Sequence, residues 1–416
     1  MGGTDKRKTP EGRKQNLLIW YWGRRGGGAH YCLEVARELS RRGEFNVHLS
    51  ISRNCDLYAE LKALNLPGLD IDTYCNVGSA LMALRRVPQV RRAFENYLKE
   101  HDIDLVLCTM QHLWNPFMLP AIQRAGSRYV VTIHDATLHP GEKFFPYQWW
   151  LDWEIQQADA YVVLSDHVGR VLRARHQAPS DRITVAPSGP FSQFADTRRC
   201  GVEAADRCAP RRLLFFGRIV AYKGLDLLLE AYGQLKRTHL DLSLAICGDG
   251  DLTPYQAAID ALADVTVENR YIREDELPGI LERSDLIVLP YREASQSGVM
   301  VLAEAAGVPV VGTPTGALVE QIVPGVNGLI ADAVDGKALA ASIGRFLDDP
   351  ELYHRCVLGI SKHVEDRWSE SGERISRLLL GEGTSAPSAP SYAAASQTGG
   401  EARARLPQGR TAGSRT

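Results

Sequence analysis

At 416 residues, with 44% apolar and 24% charged side chains, the chain is long enough for two to four domains with sizeable cores and is no small disulfide scaffold. Forty-eight Lys plus Arg against 50 Asp plus Glu leave a net charge near −2, no polyelectrolyte signature, which argues against nucleic acid as a partner. No run reaches the ~18 apolar residues that span a bilayer, and the polar start MGGTDKRKTPEGRKQ has no hydrophobic segment fit for a signal peptide, so the sequence reads as cytosolic. The eight cysteines are scattered without a CxxC pair, as expected of buried reduced thiols.

After about fifteen residues expected to be disordered, short apolar runs alternate with helical periodicity. NLLIWYW, NVHLSIS, IDTYC, LVLCTM, RYVVTIH, AYVVLS and ITVAPSG read as buried parallel strands. Between the first two, Cys32, Val35, Ala36 and Leu39 form the stripe of a helix that Gly43 stops, which makes a βαβ unit. The cycle restarts at Arg212 with RLLFFG, LSLAICG, VTVENRY, LIVLPY, VPVVGT and NGLIAD, and Leu225, Leu228, Leu229 and Tyr232 share one face of the next helix. The expected class is α/β, with a doubly wound Rossmann-like domain over 16–190, a linker over 191–210, and a second such domain over 211–366. A closing helix follows over 367–380, then a disordered tail over 381–416 too poor in large apolar residues to offset its ordering entropy. Cys200 and Cys208 fall in the linker, without further ligands for a metal.

Ligands of open α/β sheets sit at the carboxyl ends of strands, and four loops there are unusual. In GRRGGGAHY, Gly26, Gly27 and Gly28 open a helix whose free N–H groups favour a phosphate; the GxGxxG spacing and terminal acid of a dinucleotide fold are missing, so NAD is disfavoured. FFGRIVAYKG offers Arg218 and Lys223, two cations that can hold a diphosphate and neutralise charge developing on it. CGDGD reads either as a turn needing positive φ or as a ligand contact. In LPYREASQSGVMVLAEAAG, the amides of Ser297, Gly298 and Val299 open a helix as a second anion site. Glu304, within that apolar helix, must face water, a cation or a hydroxylated ligand such as a ribose.

Taken together and in this order, the Gly-rich loop, the His-Asp of VVTIHDATLHP, GRIVAYKG, CGDGD and the Glu304 helix resemble glycosyltransferase family 4 over about residues 16–380. The resemblance implies a GT-B fold, two Rossmann-like domains facing a central cleft, and a retaining, metal-independent transfer of a hexose-type sugar from a nucleotide diphosphate sugar. No cofactor is implied beyond that co-substrate. It places Arg218 and Lys223 on the donor diphosphate, Glu304 on the ribose, Gly26 to Gly28 on phosphate, and His134 facing the donor sugar. Tyr271 and Ile272 lie in the stretch whose backbone frames the base, and Asp135 braces its loop. One departure stands out: where the family usually carries a first glutamate near the donor sugar, this chain has Gln296, with Glu293 three positions earlier.

The implied mechanism is front-face attack in which the departing diphosphate assists deprotonation of the acceptor hydroxyl. DID triplets at 70–72 and 102–104 are the alternative, a metal-bridged diphosphate. The acceptor, a glycan, a lipid-linked glycan or a small molecule in polysaccharide or glycoconjugate synthesis, would be chosen by loops such as 76–90 and 136–150. The competing functions are an inactive nucleotide-sugar-binding subunit, prompted by Gln296, and an epimerase on the same fold. Basic helix 85–101, with Arg85, Arg86, Arg91 and Arg92, is read either as a solvated face or as a peripheral contact with the inner face of the membrane.

Overall fold

The computed structural model describes residues 13–74, 84–137, 145–197 and 209–382. The expectations for the first twelve residues, for Cys75, for Cys200 and Cys208, for parts of both acceptor loops and for the tail beyond 382 lie outside these.

The apolar runs pair into two wholly parallel sheets. In the first, β1 (Gln15–Tyr21), β2 (Phe45–Ser52), β3 (Gly68–Ile71), β4 (Leu105–Cys108), β5 (Arg128–Ile133), β6 (Ala160–Val163) and β7 (Ile183–Val185) lie in the order β3-β2-β1-β4-β5-β6-β7. In the second, β8 (Arg212–Phe216), β9 (Ser243–Gly248), β10 (Val265–Asn269), β11 (Leu286–Leu289), β12 (Val310–Gly312) and β13 (Gly328–Ile330) take the order β10-β9-β8-β11-β12-β13. One strand moves from its expected place. The third starts at Gly68 rather than within IDTYC, because Leu49 pairs with Gly68 and its amide donates to the Pro67 carbonyl, fixing the ladder three residues earlier.

The longer helices, numbered in chain order, are α1 (Gly27–Arg42), α2 (Val87–Glu100), α3 (Asn115–Ala125), α4 (Phe145–Gln157), α5 (Asp166–His176), α6 (Leu225–Leu235), α7 (Gly298–Ala306), α8 (Gly336–Asp348), α9 (Pro350–Val364) and α10 (Arg367–Leu380). The stripes read from sequence are the buried ones: Cys32, Val35, Ala36 and Leu39 on α1, and Leu225, Leu228, Leu229 and Tyr232 on α6. Gly43 ends α1 in the left-handed conformation. Helix α9 packs Tyr353, Cys356 and Val357 into the core of the second sheet, whereas α10 returns to the first, placing Ile375, Leu378 and Leu379 among Leu17, Ile19 and α1. Arg128 anchors its end by donating to the carbonyls of Leu378 and Leu379 at 3.0 and 2.9 Å.

Each sheet reverses its strand order once, between β1 and β4 and between β8 and β11. Crevices at the carboxyl ends of those strands are where a doubly wound sheet leaves room for a ligand. The Gly-rich turn, the loop after β4, GRIVAYKG and the loop after β11 all issue there.

Candidate functional site

GRIVAYKG is held in place by its neighbour rather than by its own residues. Gly248 adopts a φ of 151°, and a Cβ there would run into the Gly217 carbonyl. That close approach lets Gly217 N donate to Cys247 O at 3.0 Å and Ile219 N to Asp249 O at 2.8 Å. CGDGD therefore has a packing role: it presents Arg218. The exposed Arg218 guanidinium donates to Tyr222 Oη at 3.2 Å, and Lys223 Nζ stands 3.7 Å from the centre of the Tyr291 ring, a cation–π seat.

The loop after β11 is tied to the same place. Arg292 N donates to Tyr222 O at 2.7 Å, and the Arg292 guanidinium forms a fork with Asp226 at 2.7 and 2.6 Å. Ser297 caps α7 by accepting from Met300 N at 3.3 Å, and its own amide donates to Gln321 Oε1 at 3.0 Å. Gly298 begins the helix at an exposed position with open space beside its Cα. Between these loops lies a cavity of about 140 Å³ lined by Asp135, Arg218, Tyr222, Lys223, Tyr291, Glu293, Ala294 and Gln296.

The first sheet contributes His134, just past β5. Its Nε2 lies 2.8 Å from the Thr109 carbonyl, which can only accept, so Nε2 carries the hydrogen and Nδ1 is the acceptor in the neutral ring. Burial pushes the His134 pKa below the ordinary histidine value, with the Thr109 carbonyl, the Asp135 charge and the Gln296 side chain acting in the opposite direction. The Tyr31 ring meets it edge-on at 5.2 Å.

Gly26 is the N-cap of α1 with φ 76°, and Gly27 is exposed. Gly28 is buried, where a Cβ would collide with Met110. Across the cleft, Arg25 lies 4.9 Å from the centre of the Tyr271 ring, and His30 Nε2 meets Glu274 Oε2 at 2.5 Å, joined by Gln193 at 3.2 and 3.0 Å.

Residues 25–189 match the family described as Glycosyltransferase Family 4, and residues 210–349 match Glycosyl transferases group 1. The chain belongs to glycosyltransferase family 4. One relative of this glycosyltransferase is the GDP-mannose-dependent alpha-(1-6)-phosphatidylinositol monomannoside mannosyltransferase of Mycolicibacterium smegmatis, 27% identical over 86% of this chain and 96% of the relative. Another is the alpha-D-kanosaminyltransferase of Streptomyces kanamyceticus, 25% identical over 67% and 75%. Anabaena HepE in complex with UDP and glucose matches in structure with a TM-score of 0.63 at 18% identity, covering 88% of this chain and 99% of that one, a likeness of fold.

Within the glycosyltransferase, Arg218, Lys223 and Gln296 come together at one cavity, with the Gln296 side chain reaching the His134 ring. Ser297, Gly298 and Val299 open α7 beside them. Ile272, 7% exposed, gives its side chain to the core and leaves only its backbone for a ligand, whereas Tyr271 is 43% exposed.

Of the partners expected for Glu304, water, a cation or a hydroxylated ligand, the fold supplies a cation: Arg367 of α10 holds both its oxygens at 2.5 and 3.1 Å, Asn327 Nδ2 donates to Oε1 at 3.0 Å, and the residue is 1% exposed. Val299, not Glu304, faces GRIVAYKG, since a Cβ on Gly217 would lie 3.7 Å from Val299 Cγ2. Five residues further along a helix that turns about 100° per residue, Glu304 lies roughly 140° away from that face.

Sequence reasoning left Asp135 as a loop brace and did not single out Tyr222 or Tyr291, which line the cavity. The run AYK signals only the longer contact of Lys223 with the Tyr222 ring, at 5.4 Å; the Tyr291 seat comes from the loop after β11 and had no local signal. The His30–Glu274 contact joins residues 244 apart in sequence and had no local signal.

Proposed function

We propose that this glycosyltransferase moves a hexose-type sugar, with retention, from a nucleotide diphosphate sugar to a hydroxyl of a glycan, lipid-linked or small-molecule acceptor. The observation that carries the reading is the convergence of Arg218 and Lys223 on one cavity beside the open amino end of α7. Fixed cations and helix amides favour a diphosphate, and stabilise it more as the bond to the sugar breaks. In the front-face scheme, the acceptor oxygen bonds to the anomeric carbon on the side that the diphosphate leaves, and the acceptor proton passes to a diphosphate oxygen. Gln296 and neutral His134 orient the sugar, and charge on the leaving group is met by Arg218 and Lys223 rather than by a metal.

Three carboxylates of the DID triplets already have partners in the fold. Asp70 accepts from Tyr58 at 2.8 Å, Asp72 pairs with Arg53 at 3.3 Å, and Asp104 accepts from Asn16 N at 2.9 Å. The named activities of the relatives, transfer of mannose from GDP-mannose to a phosphoinositide mannoside and transfer of kanosamine, support a nucleotide-hexose donor and leave lipid-linked acceptors within the class. No helix among the described residues is long and apolar enough to cross a membrane. Helix α2 buries Val87, Val90, Phe94 and Leu98 in the core, so a membrane contact there would rest on charges such as those of Arg85, Arg86, Arg91 and Arg92.

The test is a panel of UDP-, GDP- and other nucleotide sugars, with and without chelator, followed by NMR of the anomeric configuration of the product. Retention with full activity in chelator is expected. Inversion, epimerised donor without acceptor, or binding with no turnover of any donor would each overturn the reading.

A further inference from the structure

Glu154 of α4 is fully buried, at 0% exposure, and among the described residues no cation pairs with it. Its Oε1 accepts from Tyr129 Oη at 2.6 Å and Asn115 Nδ2 at 2.8 Å, and its Oε2 from Gln111 Nε2 at 3.2 Å. A buried carboxylate satisfied only by neutral donors is expensive. Two of these donors belong to one short segment, residues 109–115: Gln111 in the loop after β4 and Asn115 at the first position of α3.

That loop touches the candidate site twice. The Thr109 carbonyl accepts from His134 Nε2, and Met110 fills the space beside Gly28 of the Gly-rich turn. Its outer side chains, Met110 and Leu113, are exposed just past the carboxyl end of β4 in the first sheet. We propose that Glu154 is a positioning residue of the transfer reaction, holding loop 109–115 from beneath so that the loop seats His134 and forms the acceptor-side wall. This rests on the transferase reading above.

The hold is sensitive to a proton. Burial pushes the Glu154 pKa up to about 7, against the pull of its three donors. Ionised, the carboxylate only accepts and serves all three donors; protonated, it has a hydrogen of its own to place, and while Tyr129 keeps donating to Oε1 one amide donor is displaced. Gln111, with the longest bond and a half-exposed position, is the one that can turn to water. The other titratable groups packed around it keep one state near neutrality. Burial raises Tyr129 and Cys108, which stay protonated, and lowers His112, beside Gln111, to about 4, so it stays neutral.

The experiment uses the full chain. Hydrogen exchange of residues 109–115, read by mass spectrometry and corrected for intrinsic rate, is compared at pH 6 and pH 8 in the wild type and in Glu154→Gln, beside acceptor kinetics and binding of the free nucleoside diphosphate. Expected are several-fold weaker protection at pH 6 in the wild type, weak and pH-independent protection in the variant, a tenfold or larger rise in its acceptor KM, and unchanged nucleotide affinity. Equal protection at both pH values in the wild type, or a variant with wild-type protection and acceptor KM, overturns the proposal. Should Glu154→Gln not fold, Gln111→Ala cuts the same tie from the half-exposed side, with the same two outcomes. A wild type that transfers no sugar would fell the transferase reading, while the exchange result would still decide for or against Glu154.

Discussion

Lys223 and Arg218 carry the clearest residue-scale consequence. Each belongs to one loop, and each is oriented by a tyrosine, so removing either leaves the loop's backbone ties to Cys247, Asp249 and Arg292 in place. Arg218→Ala or Lys223→Ala should therefore fold normally and lose about 3 kcal/mol of transition-state stabilisation, a hundredfold or more in kcat/KM. Unchanged catalytic efficiency in either variant would remove that cation from the leaving-group role. Gln296 is the second case. It lines the cavity and reaches the ring of His134, where a neutral amide both donates and accepts whereas a carboxylate only accepts. Gln296→Glu should shift donor preference or turnover while leaving affinity for the free nucleotide nearly unchanged, and Gln296→Ala should cost more, by about 1–3 kcal/mol, because a sugar hydroxyl loses its partner. Indifference to both substitutions across a donor panel would show that position 296 does not read the sugar.

At the scale of elements, the chain's order of strands and helices was legible because buried parallel strands are continuous apolar runs and covering helices carry one stripe. The loops around the cavity were legible for the same reason, since a strand's carboxyl end locates its loop. The facing of a short apolar helix was not. Helix α7 is apolar on nearly all sides, so periodicity gives no direction to Glu304, and the partner that settles it, Arg367, comes 63 residues later at the start of α10. That pair joins the helix beside the cavity to the one that returns to the first sheet. Breaking it should be felt as stability: Glu304→Ala leaves the part-buried Arg367 guanidinium without its partner and should cost about 1.5–3 kcal/mol, whereas a Glu304→Leu, Arg367→Leu double replacement should cost less. Denaturant melts of the three proteins test this. Equal losses in the single and double variants would mean that the helix packing, not the ion pair, holds the junction, and weakened binding of free nucleotide in a fully stable Glu304→Ala would restore the ribose role.

At the scale of the whole molecule, two of the groups that shape stability against pH, Glu154 and the part-buried His112, have shifts that oppose one another, and neither was legible in sequence because the largest cause of both is burial in the fold. Glu154 rises from an ordinary 4.5 to about 7, so the folded state binds the extra proton between those values, and its contribution to stability is present at low pH and lost as pH rises through that window. His112 falls from 6.5 to about 4, so the unfolded state binds the extra proton, and its contribution is present above 6.5 and lost as pH falls towards 4. Each shift corresponds to about 3 kcal/mol at ~1.36 kcal/mol per unit, and over the shared range the two slopes nearly cancel. The variants should separate them. Relative to wild type, Glu154→Gln should gain about 3 kcal/mol as pH rises from 4.5 to 7, while His112→Asn should gain a similar amount as pH falls from 6.5 to 4, each superposed on a constant loss from altered packing. Urea melts at half-unit pH steps read both slopes directly. Parallel curves for wild type and Glu154→Gln would place the titration of that carboxyl back in the ordinary range, and the protonation control of loop 109–115 would fall with it.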